Sequence, residues 1–135
     1  MERESGFTLV ELLVVMLILG LLAAVAIPSF FRQRDKAKDA QAKVAVRTAA
    51  LAIETWAVDA GGDYDGATPA GLSAIEPTLT GATLSVPLAS GHSYELAATS
   101  TSGNEFTIER HANGTSSLRC VDPDVGGCPS SGVWP

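Results

Sequence analysis

Residues 6–31 read GFTLVELLVVMLILGLLAAVAIPSFF, and the 25 residues from Phe7 to Phe31 carry a single charge, that of Glu11. As a helix this segment measures about 37 Å, against about 30 Å for the hydrocarbon core of a bilayer, so it is long enough to cross a membrane. A secretory signal has a shorter apolar run followed by a small-residue cleavage site. Here the small residue, Gly6, comes before the run, so the apolar segment should survive processing. Glu11 is the sharpest residue in the segment, because a carboxylate among apolar neighbours costs on the order of 2 to 3 kcal/mol at the centre of a membrane helix and less near its end. Either a cation compensates for it or it reaches the interface and is solvated or protonated.

Outward from this segment the helical pattern continues. Val46, Ala49, Ala50, Ile53, Ala57 and Ala60 recur at spacings of three and four, which puts them on one face, with Trp56 at its flank. Gly61-Gly62 is a stop signal, so the pattern predicts one helix from about Phe7 to about Ala60, roughly 80 Å long. Pro28 lies inside it and removes the bond to the carbonyl of Ala24, while Gly20 lowers helix propensity two turns earlier. This part should loosen most easily, although a tolerated kink in a membrane helix is the plainer reading of the same proline. After Gly62 the texture turns to Gly, Ser, Thr, Asp and Pro, with a short helix and loop over Pro69 to Leu79. Four β-rich runs follow, Thr83 to Val86, Ser93 to Ala98, Glu105 to Arg110 and Thr115 to Cys120, separated by turn-forming pairs such as Ser90-Gly91 and Asn113-Gly114. They predict an antiparallel meander, closed by a Pro-, Gly- and Ser-rich tail.

The formal net charge of the 135-residue chain is −6, which gives no reason to expect the whole molecule to bind nucleic acid. The charge is unevenly spread: six basic residues from Arg32 to Arg47 outweigh Asp35 and Asp39, whereas from Thr48 onward Arg110 and Arg119 stand against ten carboxylates. Complementary packing between copies fits that asymmetry. Cys120 and Cys128 have seven residues between them and lack the His or second Cys pair of a zinc site, so they read as a disulfide in an oxidising compartment, the alternative being two reduced thiols in a cytoplasmic domain. On the chain-entropy view a loop that short contributes roughly 2 to 3 kcal/mol. Asp59, Asp63 and Asp65, and again Asp122 and Asp124, lack the bidentate Glu of a calcium loop and read as solvated turns. His92 and His111 have no second ligand or nucleophile near them in sequence and read as surface or edge residues. Asn113-Gly114-Thr115 matches a glycosylation acceptor, but a hairpin turn explains it as well. With no phosphate loop, zinc pattern or nucleophile elbow, no enzymatic activity, metal or cofactor is expected.

The stretch Gly6-Phe7-Thr8-Leu9-Val10-Glu11, followed at once by the apolar helix, resembles the processing site of type IV pilins and type II secretion pseudopilins. The resemblance is strong to about Arg34, fair in architecture to Ala60 and weak beyond. It implies an α+β fold of the type IV pilin kind, with the long helix packed on a small antiparallel sheet and a C-terminal disulfide loop. It further implies that a prepilin peptidase cuts between Gly6 and Phe7, that the new N-terminal Phe7 is methylated, and that Glu11 meets the amine of a neighbouring subunit. Gly20 and Pro28 fall where the family places its helix-loosening residues, and Cys120 with Cys128 where it places its disulfide. The leader departs from the usual basic pattern with Glu2, Arg3 and Glu4. The basic cluster beyond the span would, on a positive-inside count, put the head in the cytoplasm; the motif and the cysteine pair put it outside.

The expected organisation is therefore a leader over 1–6, a transmembrane and filament-core helix over 7–31, and a head over 32–135 whose amphipathic helix runs to about 60 and whose sheet spans 83–120. The implied function is a structural subunit of a pilus for adhesion, motility or DNA uptake, anchored in the cytoplasmic membrane by one pass before it joins a surface filament. Its implied partners are other copies, other pilins, the peptidase and methylase, and the assembly platform, with nucleic acid left unassigned. The alternatives are a secretion pseudopilin, marked by calcium in the head, and a monomeric membrane-anchored binding module.

Overall fold

A computed structural model describes residues 5–135; the first four residues of the expected leader, with Glu2, Arg3 and Glu4, lie outside the described residues. The chain divides into two compact units, Met1–Arg34 and Asp35–Pro135. One helix, α1 (Leu9–Asp59), contributes to both.

In the first unit α1 is apolar all round. Every residue over 5–34 is exposed except Ala23, which is half-buried. Seventeen large apolar side chains from Phe7 to Phe31 are between 48% and 86% exposed. At about 1.5 kcal/mol each, leaving them in water would cost on the order of 20 kcal/mol, more than the whole stability of an ordinary domain. The segment is thus built for a second apolar phase, either lipid or other helices.

In the second unit one face of α1 is buried through Asp39, Ala42, Val46, Ala49, Ala52, Ile53 and Ala57. Four of these seven are alanines, which let the backbone behind them approach closely. Ala60, expected on this face, is exposed because the helix ends first: Gly61 takes φ 75°, and the Gly62 N–H donates to the Ala57 carbonyl at 2.7 Å, a six-to-one closure that only a left-handed residue permits. A short helix α2 (Pro69–Ile75) follows, with Thr68 accepting the Gly71 N–H at 3.1 Å and Pro69 at the first position. A 3₁₀ turn (Pro77–Gly81) leads into the sheet.

The sheet is the expected meander: β1 (Thr83–Ser90), β2 (Ser93–Thr99), β3 (Glu105–Arg110) and β4 (Ser116–Cys120), antiparallel in sequence order. The expected end of the first strand at Val86 is overridden, because the register shifts between Ser85 and Leu88 and this bulge takes Pro87 on an edge strand without breaking a ladder. Leu96 faces Ile108 and Ala98 faces Phe106 across β2 and β3, and these join Val46, Ala49 and Ile53 in one core. The outer side of β4 is covered by the tail: the Cys120 N–H donates to Gly132 O at 2.8 Å, and Trp134, 1% exposed, donates its indole N–H to Arg119 O and sets its ring edge-on to Phe106.

At the other end of the core, Glu54 on α1 gathers three partners. Tyr64 donates to its carboxylate at 2.9 Å and Tyr94 at 3.4 Å, and Arg110 lies 3.5 Å away. The two tyrosine rings meet edge to face at 4.8 Å. Burial first, and then the negative charge of Glu54, push Tyr94 up to about 12; burial and the hydrogen bond to Glu54 raise Tyr64 as well. Because the folded pKa of Tyr94 is raised, its contribution to stability is complete below about pH 10 and is lost as pH rises through about 12, and Tyr64 acts in the same direction. These are the only two tyrosines in the chain. Absorbance at 295 nm, followed on the detergent-solubilised protein, should show less than the full two-tyrosine phenolate step at pH 10, with the Tyr94 share appearing above pH 11, whereas protein in denaturant should give the full step near pH 10. A full step at pH 10 in the folded protein would contradict the clustering of both tyrosines on Glu54.

Candidate functional site

The sequence-predicted residues fall into two groups, one at the start of α1 and one around the disulfide. At the start, Gly6 and Phe7 precede the helix and are exposed, and a Cβ added at Gly6 would meet nothing within 4 Å. Nothing in the described fold asks for glycine there. Glu11 is not isolated. Its Oε2 accepts the Thr8 N–H at 2.8 Å and the Thr8 hydroxyl at 3.1 Å, while Thr8 Oγ1 accepts the Glu11 N–H at 3.2 Å. This is a capping box, in which the first orphan N–H groups of the helix are satisfied by side chains of the same turn. Its signal is present in the sequence as Thr8-x-x-Glu11, masked there by the more conspicuous property of Glu11 as a charge in an apolar run. Oε1 makes no hydrogen bond among the described residues, so the carboxylate keeps an acceptor face for a donor outside the chain. Farther along, a Cβ at Gly20 would also meet nothing within 4 Å, and Pro28 lies within α1.

Around the disulfide the structure shows a device that periodicity could not reveal. Cys120 and Cys128 are bonded, with Cα atoms 5.9 Å apart. The loop they close is held by α1 through Asp39 and Lys43, one turn apart. Asp39, fully buried, accepts the Gly127 N–H at 2.7 Å, and Lys43 donates to the Gly127 carbonyl at 2.6 Å. A single peptide residue is therefore gripped by charge at its donor and at its acceptor. Ser102, in the β2–β3 turn, donates to the other oxygen of Asp39 at 2.5 Å. Asn104, 2% exposed, donates to the carbonyls of Asp122 and Val125 and accepts the N–H groups of Asp122 and Glu105. The grip explains Gly126-Gly127: a Cβ at Gly126, where φ is +59°, would collide with Asp39 Oδ2, and one at Gly127 would stand 3.0 Å from Asp39 Cβ. Lys43 also lies over the rings of Phe106 and Trp134, and Arg47 over Trp134 at 5.0 Å.

Several of the remaining candidates have partners within the head. Asp65 Oδ1 accepts the Gly91 N–H at 2.8 Å, and Asp63 lies 3.6 Å from His92. Among the described residues no three His, Cys, Asp or Glu side chains cluster closely enough to hold a metal ion. His111 lies between Glu109, at 3.5 Å, and Ser117, at 3.4 Å, on the face of β3 and β4. Asn113 sits in the exposed β3–β4 turn and accepts the Thr115 hydroxyl at 2.7 Å.

Residues 1–27 match the prokaryotic N-terminal methylation motif. The type II secretion system core protein G of Pseudomonas aeruginosa is 40% identical over 58 residues, 43% of this chain and 41% of its own length. The type IV major pilin protein PilA of Myxococcus xanthus is 49% identical over 41 residues, 30% of this chain and 19% of its own. This chain therefore spans less than half the length of either. The type IV wide pilus major component PilA4 of Thermus thermophilus is 34% identical over 95 residues, 70% of this chain and 72% of its own. No solved structure matches.

The clamp makes a prediction about stability. Gly126→Ala should destabilise the oxidised head by about 2 to 4 kcal/mol through clash and strain at positive φ, and Asp39→Ala by about 3 kcal/mol by leaving the Gly127 N–H and the Ser102 hydroxyl without their buried acceptor. Chemical denaturation of the detergent-solubilised chain measures both. A change below about 0.5 kcal/mol for either variant would contradict the clamp.

Proposed function

This chain belongs to the family of type IV pilins and type II secretion pseudopilins, and from that premise we propose that it is the subunit of a type IV pilus, held in the cytoplasmic membrane by one pass before assembly. Membership makes it a structural subunit of a pilin-like filament and not an enzyme. In the proposed sequence of events a prepilin peptidase cuts between Gly6 and Phe7 and Phe7 is methylated. The assembly platform then moves the subunit from lipid into a surface filament that serves adhesion, motility or DNA uptake. Residues 1–6 act as the leader, 7–31 as the span and filament core, and 32–135 as the head.

The observation that carries this reading is the exposed apolar surface from Phe7 to Phe31, which needs a non-aqueous partner at every stage. Gly6 supports the cleavage site because the described fold gives it no other task. The disulfide supports a head outside the cytoplasm, since such bonds persist in oxidising compartments. Gly20 and Pro28, which no packing contact in the described fold explains, supply loosened helix for close packing between subunits. The pilus reading is preferred over the pseudopilus because the match that reaches well into the head is to a wide pilus component. A head that bound calcium would favour the pseudopilin.

Glu11 has two tasks in this account. In the single chain it caps the helix; in the filament its free oxygen accepts from the amine of a neighbouring Phe7, where a charge pair is tolerated in low dielectric and a lone charge is not. Two substitutions separate the tasks, because glutamine caps as glutamate does but carries no charge. Glu11→Gln should mature normally and yield at least tenfold less sheared filament, and Glu11→Leu should do the same while also losing about 1 kcal/mol of capping. Normal filament from Glu11→Gln would reduce Glu11 to a cap. Processing is tested separately: mass spectrometry of recovered filament should show methylated Phe7 first, and Gly6→Leu should leave an uncut precursor. Recovery of an intact Met1 terminus from surface filament would overturn the cleavage assignment.

A further inference from the structure

The cations of the described chain divide into two sets. Beyond Lys38 all four basic residues are engaged by the head: Lys43 by the Gly127 carbonyl and the Phe106 ring, Arg47 by the Trp134 ring, Arg110 by Glu54 and Arg119 by Glu109. Arg32, Arg34 and Lys36 are instead exposed and make no ion pair among the described residues, while Lys38 has Asp35 at 3.7 Å. These free charges begin at the residue after Phe31, where the apolar segment ends. Over 32–38 four basic residues stand against Asp35 alone, in a chain whose net charge is −6.

We propose that Arg32, Arg34 and Lys36 form a collar that binds the phosphate groups of anionic phospholipids around the anchor. The inference rests on the proposed membrane anchoring, though not on the proposed role of the filament. Three features select a lipid surface over the acidic head of a second copy. The first is depth. The polar layer on each side of a bilayer is about 5 to 7 Å thick, and a helix rises about 6 Å from Arg32 to Lys36, so the three cations that follow the apolar segment cross that layer. The second is direction: the Cα–Cβ bonds of a helix tilt toward its N-terminus, which here is the apolar segment, and the long stems of Arg and Lys carry their charge back to the phosphate level. The third is distribution. Residues two apart on a helix are turned by about 200°, which puts Arg34 on the side opposite Arg32, with Lys36 one turn after Arg32. A protein face meets one side of a helix, whereas headgroups reach it from all sides. The carboxylates of Glu54 and Glu109 in the head, moreover, already have Arg110 and Arg119 as partners. The collar also gives the basic residues beyond the span a task, where a positive-inside count finds none.

Lipid selectivity provides the test. Full-length protein in phosphatidylcholine vesicles at neutral pH is given a trace of phosphatidylglycerol or of phosphatidylcholine carrying the same acyl-chain spin label, and electron spin resonance measures how much of each label the protein immobilises. The wild type should favour the phosphatidylglycerol label about fivefold at low salt, the factor that one cation beside an anionic surface supplies. Most of that preference should vanish in about 1 M sodium chloride, where the Debye length is about 3 Å. The triple variant Arg32→Gln, Arg34→Gln, Lys36→Gln removes no ion pair of the described residues and should immobilise both labels equally. Arg119→Gln, which removes an exposed cation of the head, should keep the preference. Sodium phosphate should act as sodium chloride does at equal ionic strength. Equal immobilisation by the wild type, a preference that survives in the triple variant, or one erased by phosphate and not by chloride would overturn the collar, the last by assigning its cations to free phosphate ion. Where the wild type shows no preference, carbodiimide coupling of Lys36 to a carboxylate of a second copy would assign them to a neighbouring head instead. Vesicles in which neither label is immobilised would overturn the anchoring on which the collar rests.

Discussion

Burial of the apolar surface between Phe7 and Phe31 is the constraint from which the rest of this molecule follows. The chain devotes this part of its one long helix to a surface that cannot be left in water, and among the described residues nothing covers it. A soluble domain would fold such a helix into its core. Here the core is made elsewhere, by the other part of α1 and the sheet, and it is made with alanines at Ala42, Ala49, Ala52 and Ala57, so that a small sheet can pack closely. In the proposed function the apolar segment serves lipid first and other copies later. A subunit that must exchange one apolar environment for another has to keep that surface free of internal partners.

Polar groups are few in such a segment, and each carries a distinct burden. Thr8 and Glu11 satisfy the first turn of the helix within the chain, and one carboxylate oxygen stays free. The arrangement lets the helix begin without water, which a membrane entry point requires. It also holds Glu11 in place, so that in the proposed filament the charge offered to a neighbour is already oriented. In the head, the charges of Asp39 and Lys43 are used in the opposite sense: each bonds Gly127 of the disulfide loop, and the second oxygen of Asp39 accepts from Ser102. The disulfide alone closes a ring. The grip on Gly127 decides where that ring lies.

Much of this organisation is legible in the sequence. The span, the helix stop at Gly61-Gly62 and the four strands follow from periodicity and turn residues, because each is a local pattern with a local cause. The disulfide is legible too, since two cysteines with no other ligands nearby have few other uses. Asp39 is not. Between basic residues it reads as a solvated charge, and its burial depends on Gly126 and Gly127, nearly ninety residues later in the chain. Glu54 is hidden for the same reason, since its partners come from a loop and two strands that the sequence does not bring near it. The continuation of β1 through Pro87 escapes a reading by composition because a proline stops a central strand but not a bulged edge. The capping box at Thr8 and Glu11 is hidden differently, as a local motif that a more conspicuous property of the same residue conceals.

The account stands or falls on the change of surroundings of the apolar segment. A photoreactive carbene precursor carried on lipid acyl chains, activated in membranes holding the subunit and again in preparations of assembled filament with residual membrane, reports that change residue by residue by mass spectrometry. Label should concentrate between Phe7 and Phe31 in the membrane-held subunit and disappear from that segment in the filament, with the head unlabelled in both. A segment that takes no label in the membrane, or one that remains equally labelled after assembly, would contradict the claim that one apolar surface serves first as anchor and then as filament core.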